Sequence, residues 1–236
     1  MNPAPLLETH LFERLNAAIR QIDPAQTFEI YAFYLVLSLD EGGAYWPEVA
    51  SLAWLTESDV TPEKAQNYGS KWSGWAYSGE IVISLCGETR DAVGFALQSA
   101  FYESLLPNEH ARQKWQTLQW LWPFRWSENV LMPERKEELE ARLNALEIPA
   151  SERRYFFELM LALAPFDLSE AFFPILENVI RRLHASGVVR EVCGRDVPIG
   201  IMATNDVGYE WGLEPTRRAN PDGISRGMEE WMMGEP

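Results

Sequence analysis

The chain has 236 residues, 47% of them hydrophobic and 12% aromatic, and its 35 acidic against 20 basic side chains leave a net charge of −15. That apolar content excludes general disorder and suffices for a large core, while the negative field disfavours non-specific nucleic-acid binding. An acid excess keeps a protein dispersed, and it also speeds encounter with basic protein surfaces.

Leu7, Leu11, Leu15 and Ala18 recur at helical spacing, so residues 5–22 are predicted as an amphipathic helix that "DPAQ" ends. From Ile30 to Leu37 every residue is apolar, the pattern of a strand covered on both faces. This is the predicted central strand, with Asp40-Glu41-Gly42-Gly43 as the turn after it. "AYWPEVASLAWLTES" reads as a second strand antiparallel to the first, Pro47 marking a bulge, an edge or its start. In "KWSGWAYSGEIVISL" the expected hairpin runs from Trp75 to Tyr77, turns at Ser78-Gly79 and returns from Glu80 to Leu85.

Thr89 is the candidate cap of a helix with the stripe Val93, Leu97, Ala100, Phe101 and Leu105. Further helices are predicted around Trp115 and Trp122, after Pro133, and after Ser151. Ser169 is the candidate opening of the next, although Pro174 argues for a kink or a later start. That helix carries Leu176, Ile180 and Leu183, and Arg181, Arg182 and His184 complement the dipole of its last turn before Gly187. "DVPIGIMATND" returns to strand, with Pro198 at an edge or a first position. The expected fold is α+β: one domain over residues 1–210, with a mostly antiparallel sheet and a central buried strand, packed by several helices from the middle of the chain. Residues 211–236 lose periodicity and read as an irregular C-terminal segment, with Trp231 a candidate docking side chain.

The phosphate-cradling G-x-x-x-x-G-K-[ST] and the dinucleotide G-x-G-x-x-G are missing from the sequence. His10, His110 and His184 fall on separate predicted helices without ligand spacing, so no metal and no cofactor is expected. Cys86 and Cys193 suit buried reduced thiols better than a disulfide framework. The opening "MNPAPLLETHLFERLNAAIR" lacks the basic and apolar pattern of a secretion signal, and no run reaches bilayer length, so a cytoplasmic location is expected. Glu29, Glu48, Glu80 and Asp206 stand in apolar frames, where a buried carboxylate would titrate high and serve as acid or base. On a wet face or at a strand end the same residues are ordinary. Trp72 and Trp75 flank a turn, and their readings in order are core, partner interface and small-ligand platform.

"FEIYAFYLVLSLDEGGAYWPEVASLAWLTE", "KWSGWAYSGE" and the late "RDVPIGIMATND" together resemble an uncharacterised bacterial family of unknown function, numbered 4303, over residues 5–210 in outline. At that family's Asn-Thr-Glu-Glu-like position this chain has "AWLTESD", keeping Thr56 and Glu57 without the asparagine. The resemblance implies no catalytic residues, and some relatives look like cytoplasmic immunity proteins of toxin systems. Two main expectations follow. The first is a non-catalytic acidic binding protein for a basic protein partner, of an immunity type, binding neither nucleic acid nor membrane. Asp40, Glu41, Glu57, Asp59 and Glu63 would form its acidic edge, with Trp72 or Trp75 as apolar anchor and Asp206 in the same binding set. The alternative is a carboxylate-dependent, hydrolase-like enzyme in which Glu57, Glu80 and Asp206 meet in one pocket. A regulatory domain with a small-molecule pocket between sheet and helices is a third reading.

Overall fold

The computed structural model describes residues 2–38, 48–61, 72, 77–83, 91–105, 126–127, 130–131, 165–203 and 210–233. In chain order its elements are α1 (Ala4–Gln21), α2 (Pro24–Thr27), β1 (Ile30–Ser38), β2 (Glu48–Thr56) and β3 (Gly79–Val82). There follow α3 (Ala92–Leu105), β4 (Trp126–Ser127), β5 (Val130–Leu131) and α4 (Pro165–Ala185). The last are α5 (Val188–Cys193), β6 (Ile199–Ala203), α6 (Glu210–Ala219) and α7 (Arg226–Met232). The fold is α+β, with a four-stranded sheet in the order β3-β2-β1-β6. β1 pairs antiparallel with β2, β2 antiparallel with β3, and β1 parallel with β6.

The apolar run of β1 has no wet face because both faces are covered. Phe33, Leu35 and Leu37 point into a core with Leu52, Trp54, Ile199 and Ile201, closed by side chains of α1, α3, α4 and α5. Ala32, Tyr34 and Val36 join Ala53, Leu55 and Met202 in a second core, closed by Met228 and Met232 of α7. The alternation changes phase at Tyr31, which shares the second core with Ala32, while Ile30 lies in the first. A register shift between Ile30 and Ala32 accounts for this, since a bulge inserts one unpaired residue and re-aims the side chain it carries.

The predicted stripe of α1 is its buried face: Leu7, Leu11, Leu15, Ala18 and Ile19 all lie in the core. α4 starts at Pro165 and continues through Pro174, so the expected opening at Ser169 or later is corrected. Proline in a helix interior costs about 3 kcal/mol. Burial of Phe172, Ile175, Leu176, Val179, Ile180 and Leu183 outweighs it, at roughly 1.5–3 kcal/mol for each large apolar side chain. α3 is rotated from the expected stripe: Val93 is exposed, whereas Gln98, Phe101 and Tyr102 are buried. Phe101 and Tyr102 pack together on Phe172, with ring centroids 6.3 and 6.1 Å from it. At the start of α3, Asp91 caps the Gly94 N–H at 2.9 Å and bonds His10 of α1, which fixes the rotation.

Gly79 lies in β3 against the Trp54 ring and not in a hairpin loop, so that expectation is corrected too. Residues 73–76 and 84–85 of the expected hairpin, the helices predicted between 106 and 164, and Cys86 lie outside the described residues.

The C-terminal segment is also different from its prediction, because it contains α6 and α7. α6 lies along the outer side of β6 and presents Gly212, Thr216 and Asn220 at i, i+4 and i+8. A Cβ on Gly212 would fall 2.0 Å from the Ile201 carbonyl oxygen, so only glycine allows this approach. Thr216 Oγ1 accepts from Ile201 N–H at 3.0 Å, and Asn220 Oδ1 accepts from Ile199 N–H at 2.8 Å. Asn220 Nδ2 donates to Ile199 O at 2.9 Å. Four helical residues rise about 6 Å and two strand residues about 6.7 Å, so the two repeats match.

Asn220→Ala leaves the Ile199 N–H and C=O without partners in a buried setting, an expected loss of about 2–4 kcal/mol in denaturant unfolding. Arg226→Ala removes only an exposed pair with Glu230 and should stay within about 0.5 kcal/mol of wild type. A second outcome concerns Asp91. Burial raises its pKa, but the Gly94 N–H, His10 and Arg14 outweigh this and hold it below the usual carboxylate range. The carboxylate therefore stabilises the fold fully above about pH 4, and that contribution is lost as pH falls through the lowered folded value. Wild type and Asp91→Asn should differ in unfolding free energy at neutral pH and converge in strong acid.

Candidate functional site

One end of the sheet, where β1 begins and β2 finishes, carries the described acidic residues of the expected edge. Glu29 and Glu57 are both exposed, and the Glu57 N–H donates to the Glu29 carbonyl at 2.9 Å. The chain then makes a short 3₁₀ turn, Glu57–Asp59. Buried Thr56 organises it. Its N–H donates to Ser78 Oγ at 2.9 Å, and its Oγ1 lies 3.2 Å from Asp59 Oδ2, 3.0 Å from Ser78 Oγ and 3.3 Å from Ser58 Oγ. A carboxylate only accepts, so the Thr56 hydroxyl points its proton at Asp59 Oδ2, shared with Ser78 Oγ, and Ser58 Oγ completes the group. The turn is thereby held in one shape before any partner arrives, which lowers the entropy cost of docking.

Tyr31, re-aimed by its bulge, stands behind this turn. Burial raises its pKa, and the charges of Glu57 and Asp59 add to the rise, so the phenol stays neutral at physiological pH. Trp72 packs edge-on against the Tyr31 ring at 5.2 Å and 83°, and its carbonyl accepts from the Tyr34 hydroxyl. Its ring touches Gly227 of α7, where a Cβ would sit 2.6 Å away. Trp72 is half-buried against the second core and ties α7 to the acidic end. The exposed aromatic here is Phe28, 74% accessible, directly before Glu29. Sequence reasoning passed over it because it adjoins the apolar run of β1. The signal was its polar frame, Thr27 and Glu29, just ahead of the strand. The Arg195 guanidinium reaches the Ile30 carbonyl at 3.3 Å and contributes a positive charge beside the acidic group.

Asp40, Glu41, Glu63, Trp75 and Asp206 lie outside the described residues, and so does the side chain of Glu48. Glu80 is exposed on β3 opposite Ala53, four positions back along β2 from Glu57, or roughly 13 Å along the strand. Glu57, directly after β2, and Glu80 on β3 thus stand at that backbone offset, and Asp206, the third residue of the enzyme reading, lies outside the described residues. No group of three metal-capable side chains occurs among the described residues. Among the same residues no helix is long and apolar enough to cross a membrane. Cys193 is a buried free thiol whose pKa burial pushes up to about 11, against the opposing pull of Arg195. A nucleophile needs the thiolate, and this site suppresses it.

No family model, no curated protein and no solved structure matches the chain.

In a Cys86→Ser background, Cys193 should resist a thiol reagent at pH 8 for as long as the chain stays folded. It should react fully in denaturant, and fast labelling of the native protein would contradict the burial described.

Proposed function

We propose that the protein is a non-catalytic binding protein that docks a basic protein surface onto the acidic end of its sheet. The observation that carries this reading is the preorganised Glu57–Asp59 turn, set next to exposed Glu29 and Phe28 in a chain of net charge −15. Carboxylates steer a cationic partner over distances near the Debye length, about 8 Å at physiological salt. An exposed aromatic then supplies the desolvated anchor on which interfaces concentrate their energy. Of the expected edge the reading rests on Glu57 and Asp59; β1 and β6 both finish at the opposite end of the sheet, and Asp40, Glu41 and Asp206 come after those ends in the sequence, while Glu63 and Trp75 lie outside the described residues. The resemblance to the family numbered 4303 supplies the specific form: an immunity-type protein in the cytoplasm that neutralises a basic toxin. The buried, suppressed thiol of Cys193 and the separation of Glu57 from Glu80 favour binding over catalysis.

The test is kinetic, with the cationic partner captured from the protein's own cells at low ionic strength. The association rate should fall steeply with added salt, and Glu29→Lys with Glu57→Lys should lower it by about tenfold at low salt. Phe28→Ala should instead raise the dissociation rate, by about 5- to 30-fold for a loss of 1–2 kcal/mol. An association rate indifferent to both salt and charge reversal would overturn the reading.

A further inference from the structure

On the far side of β6 from β1, the end of α4, the start of α5 and the end of α6 enclose a cleft of about 560 Å³. Its polar lining is Arg181, His184, Arg190, Asp196, Arg218 and Asn220. Three guanidiniums here face two carboxylates. Arg181 and Arg218 share buried Glu177, at 2.9 and 2.7 Å, and Arg190 bonds Asp196. The cleft is therefore cationic by one charge within a strongly acidic protein. Arg218 spends Nε and Nη2 on Glu177, and Arg190 spends Nη2 on Asp196. The remaining N–H groups of both have no partner among the described residues.

His184 decides what the cleft can hold. Its side chain is only 7% exposed, and its Nε2 lies 3.2 Å from Asn220 Oδ1. The Asn220 amide cannot be flipped, because Nδ2 donates to the carbonyls of Ile199 and Thr216 while Oδ1 accepts from Ile199 N–H. Oδ1 therefore accepts from His184 as well, which places the imidazole proton on Nε2. Nδ1 is left as a bare acceptor, buried in the cleft wall without a hydrogen-bond partner. The nearest charged group, Asp196 Oδ1 at 4.0 Å, is also an acceptor and too distant to bond. Burial keeps His184 neutral near pH 7 by lowering its pKa, outweighing the opposing effects of Asn220 and Asp196. A buried acceptor left unsatisfied is costly, so a ligand that supplies a donor here gains what the apo site lacks.

We infer that this cleft binds an oxyanion that carries its own hydroxyl, monohydrogen phosphate or a hydroxyl-bearing phosphate ester, with the hydroxyl donating to His184 Nδ1 and the charged oxygens accepting from Arg190 and Arg218. Guanidinium donors suit tetrahedral oxyanions, and the free imidazole lone pair discriminates among them by their proton. Sulfate matches phosphate in size and shape but has no proton at neutral pH, so one of its oxygens would face Nδ1 lone pair to lone pair. The other ionisable groups of the wall are Glu177 and Arg181 from α4, Arg190 from α5, Asp196 before β6 and Arg218 from α6. Imidazole is the side chain whose reference pKa falls between pH 5 and 8, so the expected pH dependence is assigned to His184.

Calorimetric titration of the full chain at pH 7.5 with inorganic phosphate, sulfate and glycerol 3-phosphate tests this. Phosphate or the ester should bind at least tenfold more tightly than sulfate, and whichever of the two binds tighter is the ligand form that the cleft prefers. As pH falls through the lowered pKa of His184, Nδ1 gains a proton and donates, so sulfate binding should strengthen and the preference shrink. Arg190→Ala, on a side chain 70% exposed, should weaken phosphate binding several-fold and keep the preference over sulfate. His184→Gln should abolish the preference, with folding checked by circular dichroism. Equal affinities for phosphate and sulfate in the wild type, or heat from none of the three anions at millimolar concentration, would overturn the assignment.

Discussion

A strand at the edge of a sheet carries N–H and C=O groups that water or another chain will claim. In β6 side chains of α6 claim them, Thr216 at Ile201 and Asn220 on both sides of Ile199. Much else follows from this contact. It holds the parallel strand against β1 and brings α6 close enough for Leu213 to join the second core. It also fixes the Asn220 amide that orients His184. Remove it, and the sheet has an open edge while the cleft loses the group that sets its tautomer.

The parallel pairing has a spatial consequence as well. Phe33 pairs with Ile199 and Ile30 with Thr56, so the start of β1, the end of β2 and the loop that leads into β6 converge at one end of the sheet. Negative charge collects there on Glu29, Glu57 and Asp59. The arginines of the cleft lie nearby, each matched to a carboxylate or left with spare donors. Arg195, reaching the Ile30 carbonyl, stands between the two regions. Among the described residues, charge at this end of the sheet is thus divided between an acidic rim and a neighbouring group of exposed arginines.

The parts legible in sequence were those whose burial follows a hydropathy rule. β1 showed itself through the lack of any polar residue over eight positions, and α1 through leucines four apart. What escaped was burial of another kind. α6 docks through Gly212, Thr216 and Asn220, a small and polar stripe that meets backbone and not apolar side chains, so its periodicity is invisible on a hydropathy scale. Pro215 and Gly212 further disguised it as loop. α3 was read one position out, because two adjacent aromatics, Phe101 and Tyr102, both turn to Phe172 and drag the helix round. At the acidic end, Glu57 and Asp59 were legible as charges in a turn, Glu57 exposed and Asp59 half-buried. Phe28 was not, since it adjoins the apolar run of β1 and only the polar frame of Thr27 and Glu29 sets it apart.

The pairing of Phe33 with Ile199 also has a temporal meaning. A ribosome adding about 5–20 residues per second delivers β1 roughly ten to thirty seconds before the strand that will lie beside it, and α7 emerges later still. During that interval a run of eight apolar residues, tyrosines and phenylalanine among them, has β2 for company and little to cover its second face. Such a segment invites pairing with the same segment of a neighbouring nascent chain. Expression yield should consequently depend on chaperone supply during synthesis more than the stability of the finished fold would suggest.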